Sequence, residues 1–185
     1  MDQRELVERA GGGDHDAFAM LAGASIARLE ATARLILRDG ELAQDAVQDA
    51  LIRAWRDLPG LRDPDRFEAW LHRLTLNACL DAARRRRRRP IEVELTIEPT
   101  AQGDSTGLIA DRDQLERGFR RLSVEQRAVL VFHYYLGLSV PALADTLGIP
   151  PGTAYSRLHR ALEAMHAALL ADDQTAAQTR MRQTT

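Results

Sequence analysis

Apolar residues recur along this chain with helical spacing, and the breaks between runs fall at glycine and proline. Residues 2–10 predict a short helix ended by Gly11-Gly12-Gly13, after which Asp14 or Asp16 can cap the next one. Ala17, Phe18, Leu21, Ile26, Leu29, Ala33, Ile36 and Leu37 give that second helix one apolar face, broken at Asp39-Gly40. A third helix is expected from Glu41 to Leu58, burying Leu42, Ala46, Val47, Ala50, Leu51, Ala54, Trp55 and Leu58. Its outward face carries Asp45, Gln48 and Asp49 at i, i+3 and i+4, which is either an acidic recognition patch or ordinary solvated surface. After a loop from Pro59 to Pro64, Asp63 marks the start of a fourth helix with Phe67, Trp70, Leu71, Leu74 and Ala78 on the core side.

The fourth helix then changes character. Asn77 and Asp81 lead into the unbroken run Arg84 to Arg89, and Pro90 ends it. Adjacent like charges repel, so the run is expected to fray unless a polyanion neutralises it. Nucleic-acid phosphate is the obvious polyanion; an RNA-binding or localisation tract, or a solvated helix end, are the alternatives. Residues 90–110 hold acids (Glu92, Glu94, Glu98, Asp104) and no base, with proline, glycine and serine among them. They read as a linker, since a lone strand has nothing to pair with.

From Asp111 a second helical unit is expected: a helix around Gln114 to Arg121, then one from Ser123 to Tyr135 with Gln126 completing a capping box. Leu138 to Leu162 reads as two short helices around a tight turn. Ser139 caps the first, Val140, Leu143, Ala144 and Leu147 line it, and Gly148 stops it. The second buries Ala154, Leu158, Ala161 and Met165, and opposite them Thr153, Ser156, Arg157 and Arg160 are flanked by Tyr155 and His159. Such a face suits a DNA major groove, although two amphipathic helices and a turn can also be a plain helical hairpin. Residues 171–185 are polar and expected to be disordered.

Composition narrows the function classes. The 185-residue chain has a net charge of −2, and lysine is absent, so every basic contact is a guanidinium able to fork onto phosphate or guanine. The single cysteine, Cys79, fits a packing role. The histidines at positions 15, 72, 133, 159 and 166 form no spaced metal set, and catalysis, a cofactor and a metal are not expected. The polar start and the lack of a long apolar run predict a soluble cytoplasmic protein with no membrane insertion.

The order of these motifs resembles a bacterial sigma-70 family factor of the extracytoplasmic-function (ECF, group IV) type. GDHDAFAML (Gly13 to Leu21), DAVQDALIRAW (Asp45 to Trp55) and FEAWLHRLTLNACLDAARRRRRR (Phe67 to Arg89) resemble successive parts of sigma region 2, and LSVEQRAVLVFHYYLGLSVPALADTLGIPPGTAYSRLHRAL (Leu122 to Leu162) resembles region 4. The resemblance implies an all-α protein of two small helical domains joined by a flexible acidic linker: region 2 over 1–89, linker over 90–110, region 4 over 111–170 and a tail over 171–185. It implies binding to core RNA polymerase, at the β′ coiled coil and the β flap, to promoter DNA, and to an anti-sigma factor where one exists. Asp45, Gln48, Asp49, Arg53 and Trp55 then fall at the polymerase-binding positions. Arg62, Asp63, Arg66, Asn77, Asp81, Arg84 and Arg85 fall where the family reads the minus-ten element, and Thr153, Tyr155, Ser156, Arg157, His159 and Arg160 where it reads the minus-thirty-five element. The linker falls where the family threads the RNA channel. Ala50 stands where the family often carries an aromatic, and Tyr155 where it often carries a base. The competing reading is a stand-alone helix-turn-helix transcriptional regulator, which would call for a sensing pocket or a dimer helix in the front half.

Overall fold

The computed structural model describes the backbone of residues 2–88 and 106–183, and the side chains of residues 2–88 and 113–171. Four helices build the first domain: α1 (Gln3–Gly11), α2 (His15–Leu37), α3 (Gly40–Asp57) and α4 (Phe67–Arg88). Local chemistry sets their starts. Asp14 accepts from the Ala17 N–H at 3.0 Å and Asp39 from the Leu42 N–H at 2.9 Å, each satisfying an amide that a helix start leaves open. Short 3-10 turns over Leu58–Gly60 and Pro64–Arg66 link α3 to α4. Asp63 caps the second of these turns, accepting from the Asp65 N–H at 3.1 Å, and α4 itself begins at Phe67.

Ala46, Ala50 and Ala54 are fully buried, and their small side chains let α3 pack closely against α2 and α4. Ala50 therefore faces the core and is no part of an outward docking face. Ile26, expected in the core, is 39% exposed. Helical phase decides against hydrophobicity here, because Leu21, Ser25 and Leu29 follow one another at i+4 and put the small Ser25 inside. Thr32, also buried, donates its hydroxyl to the Arg28 carbonyl at 2.7 Å and so carries no unmet polar group.

The second domain comprises α5 (Thr106–Arg121), α6 (Val124–Leu130), α7 (Val140–Leu147) and α8 (Pro151–Gln183). Both halves of the Ser123–Gln126 capping box form, at 3.2 Å and 2.9 Å. The predicted single helix from Ser123 to Tyr135 changes to a π-helical turn over Val131–Tyr135, which buries Phe132 and turns Tyr134 and Tyr135 outward. Gly148 closes α7 in the left-handed conformation at φ 63°, which its missing Cβ allows. Two boundaries differ from the sequence expectation. Residues 106–110, assigned to the linker, are the first turn of α5, and α8 continues past residue 170 to Gln183, through an alanine- and glutamine-rich stretch without glycine or proline. The rest of the linker, including its expected path through the RNA channel, lies outside the described residues.

The two domains pack against each other, α6 and its π turn on α2, and α7 on α4. Arg127 is the centre of this contact. Buried at 8% exposure, it donates to the Ile36 carbonyl of α2 at 2.6 Å and to the Leu122 and Phe119 carbonyls at 2.9 and 3.3 Å. A guanidinium thus serves the carbonyls that two helix C-termini leave open, one in each domain.

In the same interface His72 of α4 packs on Phe132, ring centroids 6.1 Å apart, and its Nε2 has no hydrogen-bond partner among the described residues. Burial pulls the His72 imidazole below its ordinary value of 6.5, Arg28 adds to this and Glu68 opposes it. As pH falls, the unfolded chain therefore takes up this proton before the folded one does. The neutral ring stabilises the fold fully above about 6.5, and that stability is lost as pH drops through the lower folded value. Thermal melts at pH 7.5 and 5.5 are expected to show a smaller loss for His72→Leu than for the parent chain; equal losses would remove His72 from this role.

Candidate polymerase and nucleic-acid interfaces

On α3, Asp45 and Gln48 are exposed and Asp49 is half-exposed, all on one face, as the helical spacing predicts. Arg53 and Trp55, grouped with them from sequence, are partly committed inward. Arg53 pairs with Asp81 of α4 at 3.2 Å, while Trp55 stacks on His15 at 4.4 Å and meets Phe18 edge-on at 5.1 Å. Between α2 and α3 lies an open groove of about 370 Å³, lined by Phe18, Ile26, Val47, Leu51, Ile52 and Trp55 with Gln48 at its rim. Ile26 and Ile52, at 39% and 58% exposure, are apolar groups that the sequence reading did not place on a surface. The available signal was Ile52 itself: it stands at i+4 from Gln48, off the buried stripe.

The minus-ten candidates divide between a loop and a helix. Arg62, Asp63 and Arg66 are exposed around the Pro64–Arg66 turn, whereas Asn77, Asp81, Arg84 and Arg85 follow one another along α4. Over its described residues, Arg84 to Arg88, the arginine run does not fray: α4 stays helical through Arg88. Carboxylates from α3 and α4 supply the counter-charge, with Arg85 on Asp49 at 3.3 Å, Arg86 on Asp39 at 3.0 Å and Arg84 on Asp81 at 3.5 Å. Such exposed pairs are individually weak, about 0–1 kcal/mol, so phosphate can displace them. Arg66 is paired with Asp145 of α7, which brings the loop and the helix-turn-helix together around a cleft of about 120 Å³.

On α8, Ala154, Leu158, Ala161 and Met165 are all buried, as expected. Tyr155, Ser156, Arg157, His159 and Arg160 are exposed on the other side, and Thr153 is half-buried at the margin. Ser156 turns its hydroxyl back to the Gly152 carbonyl at 2.6 Å, leaving its oxygen to accept, and His159 lies 3.3 Å from Glu163. Among the described residues no carboxylate pairs with Arg157 or Arg160. The exposed face of α8 thus keeps Arg157 and Arg160 open, while Arg84, Arg85 and Arg86 of the first domain are engaged by carboxylates of that domain. No cluster among the described residues could hold a metal ion, and no described helix is long and apolar enough to cross a membrane.

Two family models match the chain. Residues 23–89 match Sigma-70 region 2 and residues 112–165 match Sigma-70, region 4. The chain is 37% identical over 157 residues to the ECF RNA polymerase sigma factor SigM of Mycobacterium tuberculosis, covering 85% of this chain and 79% of that one. It is 30% identical to the RNA polymerase sigma-H factor of Pseudomonas aeruginosa, covering 90% and 93%. Among solved structures, CnrH in complex with the cytosolic domain of CnrY aligns with a TM-score of 0.65 and 29% identity, over 92% of this chain and 98% of that one. The sigma factor RpoE of Bartonella quintana, in complex with the anti-sigma factor NepR, also aligns with a TM-score of 0.65, at 25% identity over 84% and 98%. With both of its domains matched in order, and with relatives of this similarity along most of its length, the chain belongs to the sigma-70 family, in the extracytoplasmic-function group.

Proposed function

We propose that this RNA polymerase sigma factor divides promoter recognition between two surfaces that its fold keeps chemically distinct. The observation that carries the reading is the contrast between the acidic and apolar face of α3 and Arg157 and Arg160 of α8, which have no carboxylate partner among the described residues. Asp45, Gln48 and Asp49, with Ile52 beside them, take the β′ coiled coil of core polymerase, and Trp55 shapes the neighbouring groove. Arg62, Asp63 and Arg66 of the loop, together with Asn77, Asp81, Arg84 and Arg85, take the opened minus-ten strand. Extruding a base there costs a few kcal/mol, offset by stacking and by bonds to its exposed edge. Arg157 and Arg160 reach guanine edges or phosphates of the minus-thirty-five major groove, with Thr153, Tyr155, Ser156 and His159 around them, while the second domain also meets the β flap. Polymerase supplies the catalysis and this chain the address, in the cytoplasm. Because the relatives CnrH and RpoE are held by CnrY and NepR, an anti-sigma partner is part of the proposal.

Transcription in vitro from genomic DNA, with core polymerase and with or without this chain, tests the reading through mapped start sites. New start sites are expected only when the chain is present. At those promoters Arg157→Ala or Arg160→Ala should lower initiation by roughly 5- to 150-fold, the range that about 1–3 kcal/mol of base discrimination gives. Unchanged initiation by both variants would show that the recognition face is wrongly assigned.

A further inference from the structure

The loop between α3 and α4 carries Arg62, Asp63 and Arg66, and its own bonds are all short-range. The Leu61 N–H donates to the Leu58 carbonyl at 2.9 Å, the Arg66 N–H to the Asp63 carbonyl at 3.1 Å, and the Asp65 N–H to the Asp63 side chain at 3.1 Å. Such bonds shape the loop but do not place it on the domain. Placement comes from α1, which packs on both 3-10 turns of the loop. Arg4, in its first turn, donates from Nη1 to Asp65 Oδ2 at 2.9 Å, and Glu8, one turn on, orients that guanidinium by accepting from Nε at 3.2 Å. The other end of α1 is tied down by Arg9, which donates twice to Asp14, the cap of α2, at 2.9 and 2.7 Å. Leu6, Val7 and Ala10 are buried. The helix is thus fixed to the domain along its apolar face and at its end, with one guanidinium extended to the loop. It also precedes residue 23, where the match to Sigma-70 region 2 begins, so that match gives it no role.

We propose that α1 braces the loop that meets the opened strand, and that Arg4 is a positioning residue which holds Arg62 and Arg66 ready for that strand through Asp65. Both members of the pair are more than half exposed, so the bond biases the loop without locking it, by up to about fivefold between held and free forms. A bias of that size changes how often the loop stands in shape for the strand and leaves the fold of the domain alone. The brace is independent of the promoter reading; its consequence for opening rests on the assignment of the loop to the minus-ten strand.

Arg4→Ala and Asp65→Ala in the full chain test the brace, because they change the net charge in opposite directions. Both remove an exposed group and leave Leu6, Val7 and Ala10 in place. Hydrogen exchange of the free protein is followed over residues 58–66, where the Leu61, Asp65 and Arg66 amides are bonded. Protection there is expected to fall about two- to fivefold in either variant, and no further in the double variant. With core polymerase, promoter opening, followed as permanganate reactivity of unpaired thymines, should fall by a similar factor in both variants while polymerase binding keeps the parent value. General electrostatics gives a different pattern: losing Arg4 would weaken DNA binding and losing Asp65 would strengthen it. Unchanged protection in both variants, or losses that add in the double variant, would overturn the brace. Lost protection with opening at the parent level, or opening that falls for Arg4→Ala and rises for Asp65→Ala, would overturn the positioning role. Unchanged opening in Arg62→Ala combined with Arg66→Ala would remove the loop from strand reading, and with it that consequence. The exchange measurement needs neither polymerase nor promoter, so it decides the brace whichever way the functional reading falls.

Discussion

Arg127→Leu is expected to destabilise the full chain by about 3 kcal/mol or more, measured as a lower midpoint in urea. The reason lies in what the substitution leaves behind. Replacing a buried charge with an apolar group can be neutral when its partners go too, but here the Ile36, Leu122 and Phe119 carbonyls remain and lose their donor. Burial and the neighbouring Arg38 pull the guanidinium below its ordinary range, yet arginine keeps its proton and hence its full set of donors. Arg127→Lys should recover only part of the loss, because an ammonium is a point donor and cannot span carbonyls on α2 and at the end of α5. A midpoint unchanged in Arg127→Leu would mean that water or repacking replaces all three bonds.

Asp45→Arg combined with Asp49→Arg is expected to abolish co-purification with core polymerase, a loss of about 100-fold or more in affinity for close charge pairs turned repulsive. Asp45 is exposed and makes no side-chain hydrogen bond or ion pair among the described residues, whereas Asp49 also holds Arg85. Asp49→Arg therefore does two things: it removes a docking acid and repels the arginine run. Comparing the single variants separates them, since Asp45→Arg alone should weaken polymerase binding without disturbing α4. Ile52→Asp, at the edge of the apolar groove, should also weaken it. A folded double variant that still binds polymerase at full strength would end the assignment of this face.

Local chemistry made much of this architecture legible. Asp14, Asp39, Ser123 and Ser139 are caps because a short oxygen acceptor precedes an apolar repeat, and Gly148 is a stop because only glycine sits there without strain. The exposed face of α8 was equally readable, since Ser156, His159 and Arg160 lie well away from the apolar stripe of Ala154, Leu158, Ala161 and Met165, with Arg157 nearer its edge. Contacts between distant parts of the chain were not readable. Nothing around Arg127 announces that it will reach a carbonyl 91 residues earlier, and Arg66 and Asp145 look like two solvated charges until the domains meet. The arginine run misled for the same reason. Two of its counter-charges, Asp39 that caps α3 and Asp49 within it, lie far away in sequence, so repulsion within α4 was weighed without the carboxylates that offset it. Ile26 shows a further limit: it was counted as core, and only its phase against the finished α3 shows that it lies at a groove.

Cys79 sits at 0% exposure inside α4, where burial pushes its thiol up to about 12. A sulfur so placed stays protonated and out of reach of peroxide or glutathione, so the one cysteine of this sequence is no oxidant gauge. A thiol-based stress signal is therefore not read at Cys79.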